Sequence, residues 1–358
     1  MGACFLNEAL ILLRRLLIQK EIQGIILTQE ATVSWIFKGR YHIAIATEAA
    51  CAAVLVTITT VEVIVNNIEA QRLQDEEGLI ADVVHVHAWY DDLERIKWLS
   101  KWRHTQGVVE EATLQTEVQQ LRLRLDESLL AEVRDFGRSI AEVLYTTCVS
   151  LRPTQTEYEV AGLLSAHCLA RGIEPIVNLV AGAKRANLYR HVMPTYEPLE
   201  RYVMISVGGR RNGVVLSATR MVHFGSIDKE IEKKYHAVLQ VEAALLHASV
   251  VGERLSNALA TGVMKYGELG YPDEWKLHHQ GGIAGYLPRE IRAIPDHPMT
   301  LESQLLVAWN PTIQGVKAED TVLLGKDGAE IITVDGEFPT ELVSCEQSSF
   351  RLPSILAL

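Results

Sequence analysis

Cysteine is scarce: five in 358 residues, at Cys4, Cys51, Cys148, Cys168 and Cys345. The number is odd, the positions are scattered and there is no CxxC pair, a pattern that argues for free thiols in a reducing compartment. Positive charge is also short, with 34 Lys and Arg against 45 Asp and Glu and a net charge of −11. No basic stripe is visible, which argues against nucleic acid or an anionic membrane as partner. An uninterrupted apolar run is missing near the start. ALILLRRLLIQKEI follows Glu8 and carries Arg14 and Arg15, so it is an amphipathic helix and not a secretory segment. Met1-Gly2 with Cys4 hints at acylation, but Leu6 stands where that signal needs Ser or Thr. A soluble cytoplasmic protein is expected. What the chain does have is an ordinary globular composition, 48% hydrophobic and 22% charged, in a length suited to one large or two medium domains.

Residues 8–100 alternate helix and strand signals. Helix ALILLRRLLIQKEI is followed by strands GIILT, TVSWIF, AAVLVTIT and VEVIVNN, then helix EAQRLQDEEG, which together predict an α/β domain. VVEEATLQTEVQQLRLRLDESLLAEVRDFGRSIAEVLYTTC is strongly helical, with Leu121, Leu125, Leu129 and Val133 at four-residue spacing. It reads as a connector plus the first helix of a second domain. In LRPTQTEYEVAGLLSAHCLARG, Thr154 with Glu157 suggests a capping box and Gly172 closes the helix. Farther on, MISVGG, GVVLSATR, LLVAWNP and KAEDTVLL read as strands, HHQGGIAGYLPRE as a glycine-rich loop, and residues 337–358 as a strap over the second domain.

In that order these segments resemble the creatinase/aminopeptidase P/methionine aminopeptidase family, the pita-bread fold. The resemblance extends to the amino-terminal half, where NNIEAQRLQDEEG is similar to the smaller domain of creatinase and aminopeptidase P. It implies an α+β protein with a creatinase-type amino-terminal domain at 1–125 and a pita-bread domain at 126–358. The family holds a pair of divalent ions with two Asp, one His and two Glu. Laid on this chain those ligands fall at Ser206, Ser217, Gly281, Asn310 and Glu319, and only Glu319 keeps an anionic donor. Hard divalent ions need several anionic or imidazole donors converging within about 2.0–2.6 Å. The expectation is therefore no metal and no other cofactor.

The resemblance also supplies candidate residues. His191, after VAGAKRANLYRH, falls where relatives place a histidine beside the metal site, and Arg190 precedes it. Gly281 and Gly282 let backbone approach a ligand, Gln280 can donate and accept, and Arg289-Glu290 stands at the family's His-Glu. His278 and His279 alternate, so one is expected to face the pocket. Arg220, in SATRMVHFG, is either a buried partner of Glu319 or Asp320 or a substrate contact. Arg40, in FKGRYHI, matches a loop that creatinase-like relatives reach into the pocket of the other subunit, implying a homodimer.

The expected catalytic group is thus His191, Glu319 and His279, with Arg40, Arg190, Arg220, Gln280, Gly281, Gly282, Arg289, Glu290 and Asn310 around a small-molecule or short-peptide substrate. By analogy with creatinase the chain is a metal-independent hydrolase of a C–N bond in an amino-acid-derived, guanidino or amidino compound. His191 would then move protons, while Glu319 and Glu290 would hold a cationic group. The alternative is an inactive pseudopeptidase that binds without turnover. A metal-dependent Xaa-Pro aminopeptidase is disfavoured by the ligand count.

Overall fold

A computed structural model describes residues 7–358. The acylation signal at Met1-Gly2 and Cys4 therefore lies outside the described residues. The chain divides into two compact units, Met1–Leu123 and Arg124–Leu358.

The first unit runs α1 (Glu8–Gln19), β1 (Gly24–Gln29), α2 (Glu30–Phe37), β2 (Ala49–Thr57), β3 (Val61–Asn66), α3 (Ala70–Glu76), β4 (Val83–His87), α4 (Asp92–Arg103), β5 (Val108–Glu110) and α5 (Gln115–Leu123). Its sheet has the order β4-β3-β2-β1-β5. Asn7 caps α1, its side chain accepting from the Leu10 amide at 3.1 Å. TVSWIF, expected as a strand, lies in α2. All eight residues of that helix are buried, so no polar face was available to reveal the 3.6-residue period. Lys38 ends it in the left-handed conformation at φ 59°.

The second unit begins with α6 (Leu130–Cys148), α7 (Glu157–Leu169), β6 (Glu174–Gly182), α8 (Ala183–Ala186), β7 (Tyr202–Arg211), β8 (Val214–His223), α9 (Lys229–Ala248) and α10 (Leu255–Glu268). It continues through β9 (Gly281–Ala284), β10 (Ile291–Arg292), β11 (Leu306–Trp309), β12 (Thr312–Ile313), β13 (Val316–Lys317), β14 (Asp320–Gly325) and β15 (Gly328–Ile331). The hairpin β16 (Thr340–Cys345) and β17 (Ser348–Pro353) and the short β18 (Leu356–Ala357) complete it. One sheet has the order β18-β8-β7-β6 and the other β10-β9-β11-β14-β15. This is the α+β pita-bread architecture. The leucine stripe from Leu121 to Val133 is no single helix, because the chain leaves helical geometry between α5 and α6.

The capping box of α7 sits two residues later than its sequence signal. Thr156 accepts from the Glu159 amide at 3.2 Å, and Glu159 accepts from the Thr156 amide at 2.7 Å. Glu157 is instead fully buried and gathers the Gly182 amide, the Thr195 amide and hydroxyl, and Arg185. A carboxylate with four donors fixes the Gly182–Thr195 segment that carries His191.

The two sheets meet where β8 passes the start of β14. The Thr219 amide donates to the Glu319 carbonyl at 2.9 Å, and Thr321 Oγ1 bridges the Ser217 amide and carbonyl at 3.0 and 2.8 Å. Because Ser206 pairs with Thr219 across β7 and β8, and Thr219 with Glu319, these three residues lie in one row across the junction. Below that row Arg220, 1% exposed, donates to Asp320 at 2.9 Å and to the Thr333 carbonyl at 2.6 Å.

Glu242 on α9 is fully buried beside this pair. Burial first and the Asp320 charge second raise its pKa well above the usual carboxylate value, against the lowering effect of Arg220. A folded pKa above the unfolded one gives stability that is complete below the unfolded value and is lost as pH rises through the folded value. Glu242→Gln is therefore expected to gain on wild type as pH increases, by about 2–4 °C in Tm per kcal/mol for a unit this size. Thermal melts at pH 5, 7 and 9 check this, and a constant gap between the two proteins across that range would refute it.

Among the described residues no helix is long and apolar enough to cross a membrane. Cys51, Cys148, Cys168 and Cys345 are free.

Candidate functional site

A cavity of about 480 Å³ opens at the junction of the two sheets of the second unit. His191, His279, Arg289, Asn310 and Glu319 line it, together with Ser206 and Ser217. Lys317 and Arg292 line it as well, and neither was singled out by the sequence. The apolar wall is Val177 and Leu179 from β6 with Met193, Leu287 and Pro288.

Glu319 is 5% exposed and its carboxylate is fully engaged. Oε1 accepts from Arg289 at 2.8 Å, while Oε2 accepts from Lys317 at 2.7 Å and from the Thr219 hydroxyl at 2.7 Å. Burial alone would raise its pKa, but Lys317 and then Arg289 outweigh burial and hold it at about 2. Lys317 also reaches Ser206 Oγ at 3.4 Å, and Ser206 bonds Thr219 at 2.7 Å. The row is a closed network in which two cations of the chain flank its one carboxylate. Strand alternation was the overlooked signal, since Lys317 stands two residues before Glu319 and so shares its face.

This donor set does not fit a pair of divalent ions. Ser206, Ser217 and Asn310 bring no charge, and Glu319 already has Lys317 and Arg289 against it. The structure also gathers His191, His278 and His279, whose ligand atoms lie within 4.8 Å of one another. His191 Nε2 is 3.0 Å from His278 Nε2, and the rings of His278 and His279 stack at 4.5 Å. Burial and then Lys317 push the His278 pKa down to about 2, and burial and then Arg289 push His279 to about 4. His191, the most exposed of the three, is lowered by partial burial and then by Lys317. The cations that disfavour a proton on these rings repel a divalent ion by the same physics.

Several expected site residues are engaged elsewhere. Arg220, expected either in a buried ion pair or against substrate, is paired with Asp320 and 1% exposed. Gln280 accepts from Tyr266 at 2.9 Å and donates to the His278 carbonyl at 2.7 Å, which ties down the segment before β9. Gly281 and Gly282 form β9 rather than a loop around a ligand, at φ 124° and 145°. A methyl group at either would meet a backbone oxygen, Ala308 at 2.2 Å or Ile291 at 2.1 Å. Glycine there answers a close strand approach. Glu290 accepts from the Tyr286 amide at 3.1 Å and closes the turn after β9. Arg190 pairs with Glu274, which also accepts from the Gln314 amide at 3.2 Å. Arg40 pairs with Glu77 in the first unit, its Nε donating at 2.9 Å.

With the site described, the chain can be set beside known proteins. It is 23% identical over 273 residues to the putative dipeptidase YkvY of Bacillus subtilis (strain 168), covering 73% of each protein. Its fold is similar to the prolidase from Pyrococcus horikoshii OT3, with a TM-score of 0.76 at 18% identity over 91% of this chain and 98% of that one. The Xaa-Pro dipeptidase from Bacillus anthracis gives the same TM-score and identity over 98% and 99%. The sequence model of metallopeptidase family M24 matches residues 131–326, which contain every residue of the cavity wall. The chain belongs to metallopeptidase family M24.

Proposed function

We propose that this protein hydrolyses a C–N bond of a small amino-acid-derived or short-peptide substrate without the paired metal ions of its family. The observation that carries this reading is the state of Glu319. Lys317 and Arg289 neutralise the one surviving carboxylate, while burial and then the same cations lower the pKa of His191 and His279 on the cavity wall. It also disfavours a guanidino or amidino substrate, because no carboxylate is left to receive a cationic group. In the reaction a water oxygen bonds to the acyl carbon, the C–N bond breaks and the leaving nitrogen takes a proton. His191 accepts the proton from water and returns it to nitrogen. That role needs the tautomer in which His191 Nε2–H donates to His278 Nε2, leaving His191 Nδ1 as the base.

Binding without turnover is the second reading. It is favoured by the way Ser206, Thr219, Lys317 and Glu319 satisfy one another, a network that asks nothing of a ligand. An assay of dipeptides and N-acyl amino acids decides between them, run on protein as purified, after chelator, and with added Mn²⁺, Co²⁺ or Zn²⁺. Hydrolysis indifferent to chelator is the expected result. Ligand-induced thermal stabilisation with no product would favour the binding reading, and activity only with added metal would remove both. Metal analysis of dialysed protein is expected to find well under one equivalent per chain. Near two equivalents would overturn the account of the donor set.

A further inference from the structure

The charge of Glu319 is already balanced by Arg289 at 2.8 Å, and Thr219 adds a second donor at 2.7 Å. Lys317, 5% exposed on its side chain, therefore leaves this group with one positive charge in excess. A buried cation beyond what its counter-ions match is costly to the resting protein. An ammonium has three N–H donors. Glu319 Oε2 takes one from Lys317 at 2.7 Å and Ser206 Oγ another at 3.4 Å, and no third acceptor is present among the described residues. The excess charge is directed at the cavity that Lys317 lines, since it is the strongest charge acting on His191 and His278 and is felt at His279 as well.

Ser217 also lines the cavity, and its hydroxyl makes no hydrogen bond among the described residues. It is not enclosed as the Asn310 amide oxygen is. Ser217 shares a face of β8 with Thr219, which pairs with Ser206 on β7. It thus stands diagonal to Ser206, about 7–8 Å away by ordinary strand geometry. The third N–H of Lys317 and the hydroxyl of Ser217 border one stretch of wall.

Building on the reading of this cavity as a hydrolytic site, we propose that Lys317, assisted by Ser217, takes the negative charge that develops on the substrate's carbonyl oxygen. As the water oxygen bonds to the acyl carbon, the carbonyl π pair moves onto oxygen, and Lys317 and Ser217 donate to that oxyanion. The pair returns as the C–N bond breaks, and the proton that His191 took from water passes to nitrogen. A neutral amide leaves the excess charge of Lys317 unmet, whereas the tetrahedral intermediate meets it. An interaction stronger in the transition state than in the ground state is what accelerates the chemical step. The same ammonium that makes the donor set unfit for paired divalent ions thereby supplies positive charge from within the chain.

Two analogues of leucylglycine test this at equilibrium: a phosphinate, tetrahedral and anionic at the scissile position, and a ketomethylene, trigonal and neutral there. Titration calorimetry on the intact, chelator-treated protein should show the phosphinate binding at least about 100-fold tighter. Lys317→Met should remove most of that preference while leaving ketomethylene affinity within about twofold, and Lys317→Arg should return part of it. Ser217→Ala should lower the preference by about tenfold, the size of one hydrogen bond to a charged group. In turnover, Lys317→Met should lower kcat by about 10²–10³ with KM nearly unchanged. Equal binding of the two analogues by the wild type would overturn the proposal, as would a phosphinate that does not bind at millimolar concentration or a preference that survives Lys317→Met. Should Lys317→Met fail to fold, an unchanged preference in both Lys317→Arg and Ser217→Ala would overturn it instead. Chelator-indifferent hydrolysis with kcat untouched by Lys317→Met would leave the hydrolase reading standing and remove Lys317 from it. A phosphinate preference that depends on Lys317, with no substrate cleaved, would remove the hydrolase reading and leave Lys317 as an anion-binding group.

Discussion

Replacing His191 by alanine is expected to lower turnover by about 10²–10⁴ while the protein stays folded. The ring is exposed and its hydrogen-bond partner among the described residues is His278, so its loss leaves no cavity and no stranded charge. The pH profile adds a test that a merely structural residue would not pass. Partial burial and then Lys317 lower the His191 pKa, so the free base persists to lower pH than an ordinary histidine would allow. The acid limb of the rate profile should therefore fall below the usual histidine range. Lys317→Met should carry that limb back toward higher pH, because it removes the largest charge opposing protonation. An acid limb unmoved by Lys317→Met, or His191→Ala with full activity, would remove His191 as the proton carrier.

The architecture was legible in the sequence where burial is one-sided or where strands are rich in β-branched residues. GVVLSATR declared itself as a strand through its β-branched residues although β8 is buried along its whole length, while TVSWIF did not declare itself as a helix because every face of α2 is buried. The cavity was legible in part. His191, His279, Arg289, Asn310 and Glu319 come together although they are distant in sequence, because the junction of β8 with β14 and the β9–β11 pairing bring their segments to one place. What the sequence could not convey is which of several charged residues takes which partner. Arg220 faces Asp320 rather than Glu319, which differ by one residue in the chain and by the whole thickness of the sheet in direction. Glycines 281 and 282 resemble a ligand loop in composition, yet they answer a backbone crossing visible only once β9, β10 and β11 are assembled. Lys317 was hidden by its neighbour: a lysine beside an acidic pair reads as surface until both sides are known to be buried.

That buried lysine makes Glu319 the residue whose loss should be felt most in stability. Lys317 and Glu319 are each 5% exposed on their side chains and Arg289 is 9% exposed. Glu319→Gln keeps the shape but leaves two buried cations without their anion. Removing one partner from a buried ion pair typically costs about 3–5 kcal/mol. A deficit of that size should appear in denaturant melts at neutral pH. Titration should mimic it in the wild type: a folded carboxylate pKa depressed to about 2 contributes stability present above the unfolded value and lost as pH falls through the folded one. The decisive variant is the double one, Glu319→Gln with Lys317→Met, which removes a cation together with the anion. If the network is an internal ion cluster, the double variant should recover a large share of the loss, a coupling well beyond the 0.3–0.5 kcal/mol scatter of independent sites. Strict additivity of the two single changes would mean that Lys317 and Glu319 do not depend on each other. The closed network, and with it the argument that the chain's own cations hold the one remaining carboxylate, would then have to be given up.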